Sequence, residues 1–418
     1  MSERRCEMSM GMIFVRKVPI LNNIFIAHQV GIAGTPIASK NRRLFPAQLV
    51  GWKSPLCVDC DNFVTIMSLA VRNVWYGIPF PTIKTMKPLS FFAIGAALLA
   101  GTSANAQQLS GAGATFPAPL YQRWGVEYNK VNPAVQVNYQ SVGSGAGVKN
   151  FTAGVVDFGA SDAAMSDTEI AKVSKGVVLI PATAGEIVFA YNLPGVDKLN
   201  LSREAMAGIY LGTIAKWNDP AIAKANPGAK LPDLPIQVAY RSDGSGTTYV
   251  FTQHLSAISK DFDEKIGTDK SVTFPVGVGG KGNEGVTALV KQSPGAVGYV
   301  EYGYAKGNGL AMASLENKSG KFIAPGEESG ASTLANVKLP ENLRIWPVDP
   351  EGDTDYPIAS FTWLLLYKKY DDAAKLKALK EFVTYGLTTG QGFASELGYI
   401  PLPAPVVEKA KAALATVQ

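Results

Sequence analysis

The sequence predicts an α/β protein of two lobes with a binding crevice between them. Four times along the chain, a strand-like run leads into a loop of glycines and small hydroxyl residues that opens a helix. In an α/β sheet such loops lie at the carboxyl ends of strands, where these folds form their binding crevices. Three of the loops precede an expected domain boundary and the fourth lies well after it. One crevice that uses all four must therefore lie between two lobes that close on each other.

The fourth loop, residues 241–248, is the most informative. It follows a strand-like run and opens a predicted helix over residues 247–256. Free N–H groups at a helix N-terminus, together with the helix dipole, favour a bound anion. Ser245 and Thr247 add hydroxyl groups, and Arg241 adds a fixed fork of donors.

The other three loops follow the same plan. The second comes after residues 135–141, which alternate in polarity like a strand. After the third, Ser166 to Glu169 form a capping-box pattern before a predicted helix over residues 168–174. Another helix is predicted over residues 117–130, where prolines occupy the first turn. These three loops are residues 111–116, 143–147 and 160–162. One such loop is a weak signal, but the four together indicate a binding crevice.

Length and charge limit the classes of protein to which this chain can belong. A chain of 418 residues is too long for one ordinary domain, and a hydrophobic content of 47% suits a well-packed globular protein. The formal charge of +5 is unevenly spread: residues 1–85 hold ten basic and four acidic residues, and residues 107–418 hold 28 basic and 30 acidic. The main body lacks the basic face of a nucleic-acid-binding protein. A bound anion must be held there by local dipoles and one or two arginines.

Residues 86–106 have the pattern of a secretory signal peptide. Lys87 gives a basic start, an apolar stretch follows, and Ala104-Asn105-Ala106 gives a small-x-small end. Cleavage after Ala106 would leave Gln107 first. The alternatives are a buried helix or a membrane anchor, but the apolar core is shorter than the ~20 residues that a spanning helix needs.

Residues 1–85 precede this segment, although a signal peptide is expected at an N-terminus. The simplest interpretation is that the protein starts at Met86 and that residues 1–85 are an upstream extension. Cys6, Cys57 and Cys60 all lie there, so the predicted mature chain has no disulfide framework. A zinc site of these cysteines with His28 is the alternative, for which a single CxxC pair is a weak signal.

The remaining chain alternates between helix and strand signals. Up to about Thr183 these predict a mainly parallel sheet with helices on both faces, and a boundary is expected near Ala184. Beyond it, Ser202 is expected to cap a helix. The predicted strands lie within residues 187–191, 294–300 and 358–367, and the predicted helices cover residues 203–211, 373–387 and 406–417.

On these motifs the chain resembles the substrate-binding proteins of high-affinity bacterial phosphate ABC importers. The matching stretches run in family order through nearly all of residues 107–418 and include GAGATFP at 111–117, VGSGAG at 142–147, DFGASD at 157–162, DGSGT at 243–247, KGN at 281–283 and PGAVGYVEY at 294–302. The resemblance implies a type II-like periplasmic binding protein with hinge strands between two lobes and the ligand in the interlobe cleft. Lobe one would be residues 107–183 plus 357–418, and lobe two residues 184–356.

The resemblance also implies the function. It implies a periplasmic protein of a Gram-negative bacterium that binds inorganic phosphate and delivers it to a membrane ABC permease. Such a protein would be a monomer, would catalyse no reaction, and would need no cofactor, metal or nucleic acid. Carried over residue by residue, the implied phosphate contacts are Thr115, the backbone N–H of Phe116, Ser144, Asp162, Arg241, Ser245, Gly246 and Thr247, with Asp243 holding Arg241.

The chemistry of two of these residues favours the implied roles. Phosphate near neutral pH carries a proton that the Asp162 carboxylate can accept, whereas sulfate carries none and would be repelled. The alternative for Asp162 is that it caps or turns its own loop. For Arg241 the alternative is an ordinary surface pair with Asp243.

Two other functions compete with this one. A secreted phosphoryl-transfer or hydrolytic enzyme would need catalytic groups, but the mature chain has one histidine, His254, which is expected to be structural, and no GxSxG or P-loop motif. A receptor for another oxyanion, such as sulfate or molybdate, is the second competitor, and Asp162 argues against it.

Overall fold

The computed structural model describes residues 106–335 and 337–418. The predicted extension, its cysteines and the signal segment, apart from Ala106, lie outside the described residues. The strands follow the chain as β1 Gln107–Gly113, β2 Val135–Ser141, β3 Phe158–Ser161, β4 Val177–Asn192, β5 Asn200–Leu201, β6 Gln237–Arg241, β7 Val278–Gly280, β8 Ala296–Glu301, β9 Ala311–Met312, β10 Ser314–Glu316, β11 Phe322–Ile323 and β12 Ala359–Tyr367.

Helices connect most of these strands. They are α1 Ala118–Val131, α2 Ser144–Thr152, α3 Asp167–Ile170, α4 Arg203–Leu211, α5 Pro220–Ala225, α6 Gly246–Ile258, α7 Lys260–Lys265, α8 Gly282–Gln292, α9 Tyr302–Gly307, α10 Glu327–Ala335, α11 Ala373–Leu387, α12 Ala394–Leu397 and α13 Ala404–Ala415, with a 3-10 turn at Thr389–Phe393. Within the described ranges, no helix is both long enough and apolar enough to cross a bilayer.

One large sheet organises the described chain. Its strand order is β2-β1-β3-β12-β4-β8-β6-β7, and β9 pairs with β4 on the edge opposite β8. We call β2, β1, β3 and β12 the first half-sheet, and β8, β6 and β7 the second half-sheet. Strands β2, β1 and β3 are parallel to one another, and so are β8, β6 and β7.

The long strand β4 belongs to both half-sheets. It pairs with β12 up to Glu186 and with β8 from Ile187 onward, antiparallel in both cases. Because β4 leaves the first half-sheet at the edge where β1, β2 and β3 end, the second half-sheet lies beyond that edge. Its strands run back against β4, so the carboxyl end of β6 faces the carboxyl ends of β1 to β3. This topology sets the four predicted loops opposite one another.

Most predicted elements agree with the structure, and two differ. Several bounds are matched to the residue, as for β2, α4 and α11, and both the capping box at Ser166 and the cap at Ser202 form. The helix predicted over residues 168–174 is one α-turn, continued to Val173 by tighter i−3 hydrogen bonds. The sheet before Thr183 is less parallel than predicted, because β12 returns from the far end of the chain and inserts antiparallel between β3 and β4.

Buried aromatic rings hold the second half-sheet against its helices. Phe251 of α6 stacks on Tyr299 of β8 with ring centroids 4.1 Å apart. The Tyr299 hydroxyl accepts a hydrogen bond from the backbone N–H of Arg241 at 3.1 Å and meets the Thr248 hydroxyl at 2.7 Å. Aromatic packing therefore fixes both ends of the loop between β6 and α6.

Candidate functional site

The loop between β6 and α6 brings a helix N-terminus against the first half-sheet. Ser245 caps α6, because its hydroxyl oxygen accepts the Thr248 N–H at 3.0 Å. Gly246 begins the helix, one residue before the predicted start. A Cβ at Gly246 would lie 2.5 Å from Ser144 Oγ and 2.6 Å from Asp162 Oδ2. Glycine is therefore required where this loop meets the loops of the first half-sheet.

The loop after β2 meets the same region from the other side. Ser144 begins α2, and the next residue, Gly145, donates its N–H to the Gly244 carbonyl at 2.8 Å. The preceding Gly143 has a positive φ of 91°, and a Cβ there would lie 2.2 Å from Asp243 Oδ2. Both glycines allow the backbones of opposing loops to touch.

Thr115 and Phe116, after β1, are held by groups from distant elements. Thr115 Oγ1 accepts hydrogen bonds from the Asn283 backbone at 3.1 Å and from the Asn283 side-chain amide at 2.8 Å. The Tyr304 hydroxyl donates to the Thr115 carbonyl at 2.6 Å, and the Tyr399 hydroxyl donates to the Phe116 carbonyl at 2.7 Å. Both carbonyls of this turn therefore accept hydrogen bonds from within the protein.

Besides those of Thr115 and Asp243, four backbone N–H groups of the site residues donate no hydrogen bond within the described part of the chain. They precede or begin three helices, α1, α2 and α6, whose dipoles place partial positive charge at the same point. Such groups are the ones that anions occupy at helix N-termini. The four belong to Phe116, Ser144, Gly246 and Thr247.

Asp162 is a buried carboxylate directly after β3, with 1% of the residue exposed. Its Oδ1 accepts the Thr362 hydroxyl at 2.8 Å, and its Oδ2 is 3.4 Å from Ser144 Oγ. Burial raises the pKa of Asp162 to about 7, against the opposing effects of Thr362, Arg241 and Ser144. These partners lie on other elements, so its carboxylate reaches beyond its own loop.

Arg241, which is buried, and Asp243, which is partly buried, form an ion pair at the end of β6. The Arg241 side chain is 1% exposed; its Nε donates to Asp243 Oδ1 at 2.8 Å, and its Nη2 donates to Oδ2. Burial pushes the pKa of Asp243 upward, but Arg241 and the Gly282 N–H together hold it below its ordinary value. Arg241 is thus a buried cation that one counter-ion holds in place, and the pair is not a solvent-exposed surface contact. Arg241 also reaches Thr247 Oγ1 with Nη1 at 3.3 Å.

The structure thus brings the predicted site residues together, and it adds two that sequence reasoning missed. Asn283 links Thr115 to Thr247, and Thr362 on β12 donates to Asp162. In the sequence, Asn283 lies in a glycine turn before a predicted helix. This pattern could have indicated that it is a loop residue at the site. Thr362 lies 200 residues from Asp162 in a buried strand and gave no local signal.

His254 lies apart from this cluster. It is buried in α6, and neither ring nitrogen has a hydrogen-bond partner in the described residues. Burial lowers its pKa to about 4. No hydrogen bond joins it to a predicted site residue, and the described ranges hold no group of three or more His, Cys, Asp or Glu side chains arranged to hold a metal ion.

Comparisons with known proteins agree with this geometry. The model of a PBP superfamily domain matches residues 100–388. The phosphate-binding protein PstS of Pasteurella multocida is 44% identical over 311 residues, covering 73% of this chain and 90% of that protein. PstS of Haemophilus influenzae is 42% identical over 330 residues, covering 78% and 97%.

A solved structure supports the fold. The high-affinity periplasmic phosphate-binding protein PfluDING, solved with phosphate bound, superimposes with a TM-score of 0.61 at 22% identity, covering 73% of this chain and 93% of that one. Together with the superfamily match, this confirms the predicted α/β fold of a two-lobed periplasmic binding protein.

Proposed function

The chain belongs to the PstS phosphate-binding proteins of the PBP superfamily, and from this premise we propose that it binds inorganic phosphate and delivers it to a membrane ABC permease. The observation that carries the proposal is the convergence of four free N–H groups, a buried arginine and a buried carboxylate at facing strand ends. The donors suit a tetrahedral anion, and the carboxylate suits an anion that still carries a proton.

Each predicted residue has a role in this proposal. From the first half-sheet, Thr115, the Phe116 N–H and Ser144 donate to phosphate oxygens, and Asp162 accepts the phosphate proton. From the second, Arg241, Ser245, Gly246 and Thr247 donate, and Asp243 orients Arg241. Charge-assisted bonds of this kind are the stronger hydrogen bonds. Because the donors come from both half-sheets, phosphate would draw the two lobes together.

The lobes themselves are part of the proposal. We assign residues 107–183 plus 357–418 to lobe one and residues 184–356 to lobe two, with β4 and the segment leading into β12 as the hinge connections. The change of partner of β4 between Glu186 and Ile187 supports a hinge close to the predicted boundary.

We also propose that the protein works in the periplasm as a monomer, without catalysing a reaction. The location is supported by the periplasmic location of PfluDING and by the secretory pattern of residues 86–106. Mass spectrometry of the secreted protein should find Gln107 at the N-terminus. A main cytoplasmic form that retains Cys57 and Cys60 would contradict the proposed processing.

Calorimetry with phosphate, sulfate and molybdate tests the function. We expect tight 1:1 binding of phosphate and much weaker binding of the other two anions. A parallel turnover assay with a phosphate ester should release no phosphate above the buffer rate. Preferred binding of sulfate or molybdate, or steady turnover of the ester, would replace the proposal by one of its two competitors.

A further inference from the structure

Asn283 bridges the two sides of the site. It is fully buried near the start of α8, and its side-chain amide donates to Thr115 Oγ1 at 2.8 Å and to Thr247 Oγ1 at 3.2 Å. Thr115 follows β1 in the first half-sheet, and Thr247 follows β6 in the second. One amide group therefore contacts a hydroxyl from each side.

The orientation of this amide is set by a third contact. Asn283 Oδ1 accepts the backbone N–H of Glu301 at 2.9 Å. Because an oxygen must face that donor, the NH₂ group must face the two threonines. Both amide hydrogens are then used, one on each hydroxyl oxygen.

The acceptor capacity of both hydroxyl oxygens is filled as a result. Thr115 Oγ1 accepts a second bond from the Asn283 backbone N–H at 3.1 Å, and Thr247 Oγ1 accepts a second bond from Arg241 Nη1 at 3.3 Å. A hydroxyl oxygen offers two lone pairs and one proton. Each threonine is left with only its proton to offer, so each can act toward a ligand only as a donor.

We propose that Asn283 is a positioning residue that commits the Thr115 and Thr247 hydroxyls to donate to the bound anion. This inference rests on the proposed function, in which that anion is phosphate. With both hydroxyls fixed as donors, neither can accept a proton from the ligand, and that task falls to Asp162. Asn283 thereby adds to the selectivity of the site without touching the ligand.

Asn283→Asp tests this with little change of shape. The variant keeps an oxygen for the Glu301 N–H but replaces the NH₂ group with an acceptor, so both threonine hydroxyls turn toward it and away from the ligand. With roughly tenfold lost for each donor to a charged group, phosphate binding should weaken about a hundredfold by calorimetry, or about 2.8 kcal/mol at 1.4 kcal/mol per tenfold.

Two backgrounds separate positioning from a merely structural role. In Thr115→Ser/Thr247→Ser the hydroxyls remain, and Asn283→Asp should again cost about a hundredfold. In Thr115→Val/Thr247→Val they are gone, and the same change should cost at least about tenfold less. The introduced carboxylate repels the anion equally in both backgrounds, so the difference isolates the hydroxyls.

Equal costs in the serine and valine backgrounds would overturn the inference while leaving phosphate binding by the parent intact. A parent that binds no phosphate would instead overturn the proposed function. If Asn283→Asp does not fold by circular dichroism, Asn283→Ala replaces it in both backgrounds. We then expect a smaller loss of about fivefold with serine and almost none with valine, and equal losses would again overturn the inference.

Discussion

Two carboxylates on opposite sides of the site, one buried and one partly buried, differ in how the same arginine affects their pKa. Asp243, on the loop after β6, touches Arg241 through both carboxylate oxygens, and its pKa lies below the ordinary value. Asp162, on the loop after β3, feels Arg241 only through space, and burial raises its pKa to about 7. Direct contact outweighs burial in the first case, and burial outweighs the distant charge in the second.

The difference assigns the two groups distinct tasks. Asp243 stays ionised and fixes the guanidinium, so the cation keeps one orientation on the second half-sheet. Asp162 can hold or release a proton near neutral pH, in the range where phosphate itself changes from one proton to two. A group of this kind suits recognition of a ligand by its proton.

Arg241→Ala should have the largest effect, because it removes the cation that both carboxylates face. It leaves Asp243 without its partner, and because Asp243 is only partly buried, the loss of stability should be below the ~3–5 kcal/mol of a fully buried pair. Phosphate affinity should fall by a further ~1.5–3 kcal/mol, the scale of a hydrogen bond to a charged group. Chemical denaturation and calorimetry measure the two losses.

The double variant Arg241→Ala/Asp243→Asn is the matched control. Neutralising the stranded carboxylate should recover much of the stability while leaving phosphate affinity low, since the donor fork is still missing. Unchanged phosphate affinity in Arg241→Ala would remove Arg241 from the site.

The contrast between these two loops also marks what the sequence could predict. Arg241 and Asp243 lie two residues apart at a strand end, so their pairing and the anion loop were readable from local pattern. The raised pKa of Asp162 was not, because it depends on burial between Gly246 and Thr362, both remote in sequence. For the same reason the insertion of β12 beside β3 was missed, since the two strands lie far apart in sequence.

Asp162→Asn should have the next largest effect, and it should act on selectivity. The amide keeps an oxygen that can accept the phosphate proton, so phosphate should still bind. Sulfate should gain by about tenfold or more relative to phosphate, because the repulsion is gone and the NH₂ group can donate. Competition titrations measure the ratio; the same ratio as in the parent would show that Asp162 does not discriminate.

Sulfate binding by the parent should also depend on pH, to a smaller extent. The pKa of Asp162 is raised to about 7, so the carboxyl gains a proton as pH falls through that value and becomes a donor. Sulfate stays fully ionised, so its affinity should be several-fold higher near pH ~5.5 than near pH ~8.5. In Asp162→Asn this dependence should be absent. A parent and variant with the same pH profile would assign the dependence to another group.

The smallest effect is expected for an ion pair that joins the same two sides at their rim. Lys270, which follows α7, pairs with Glu169 of α3, and both side chains are partly exposed, at 21% and 25%. Solvent screens such a pair, so Lys270→Ala should weaken phosphate binding by less than about 1 kcal/mol, and the loss should shrink further in high salt. Lys265→Ala, which breaks an exposed pair within α7, is the control and should leave affinity unchanged.

Calorimetry of both lysine variants at low and high salt decides how closure is held. A loss in Lys270→Ala as large as in Arg241→Ala would mean that rim charges hold the two sides together. A small, salt-sensitive loss would place the binding free energy in the buried groups, where the cation is already paired and the donors are already aimed. In that case the two sides close on the ligand because each holds part of one donor set, and the rim pair adjusts that closure only slightly.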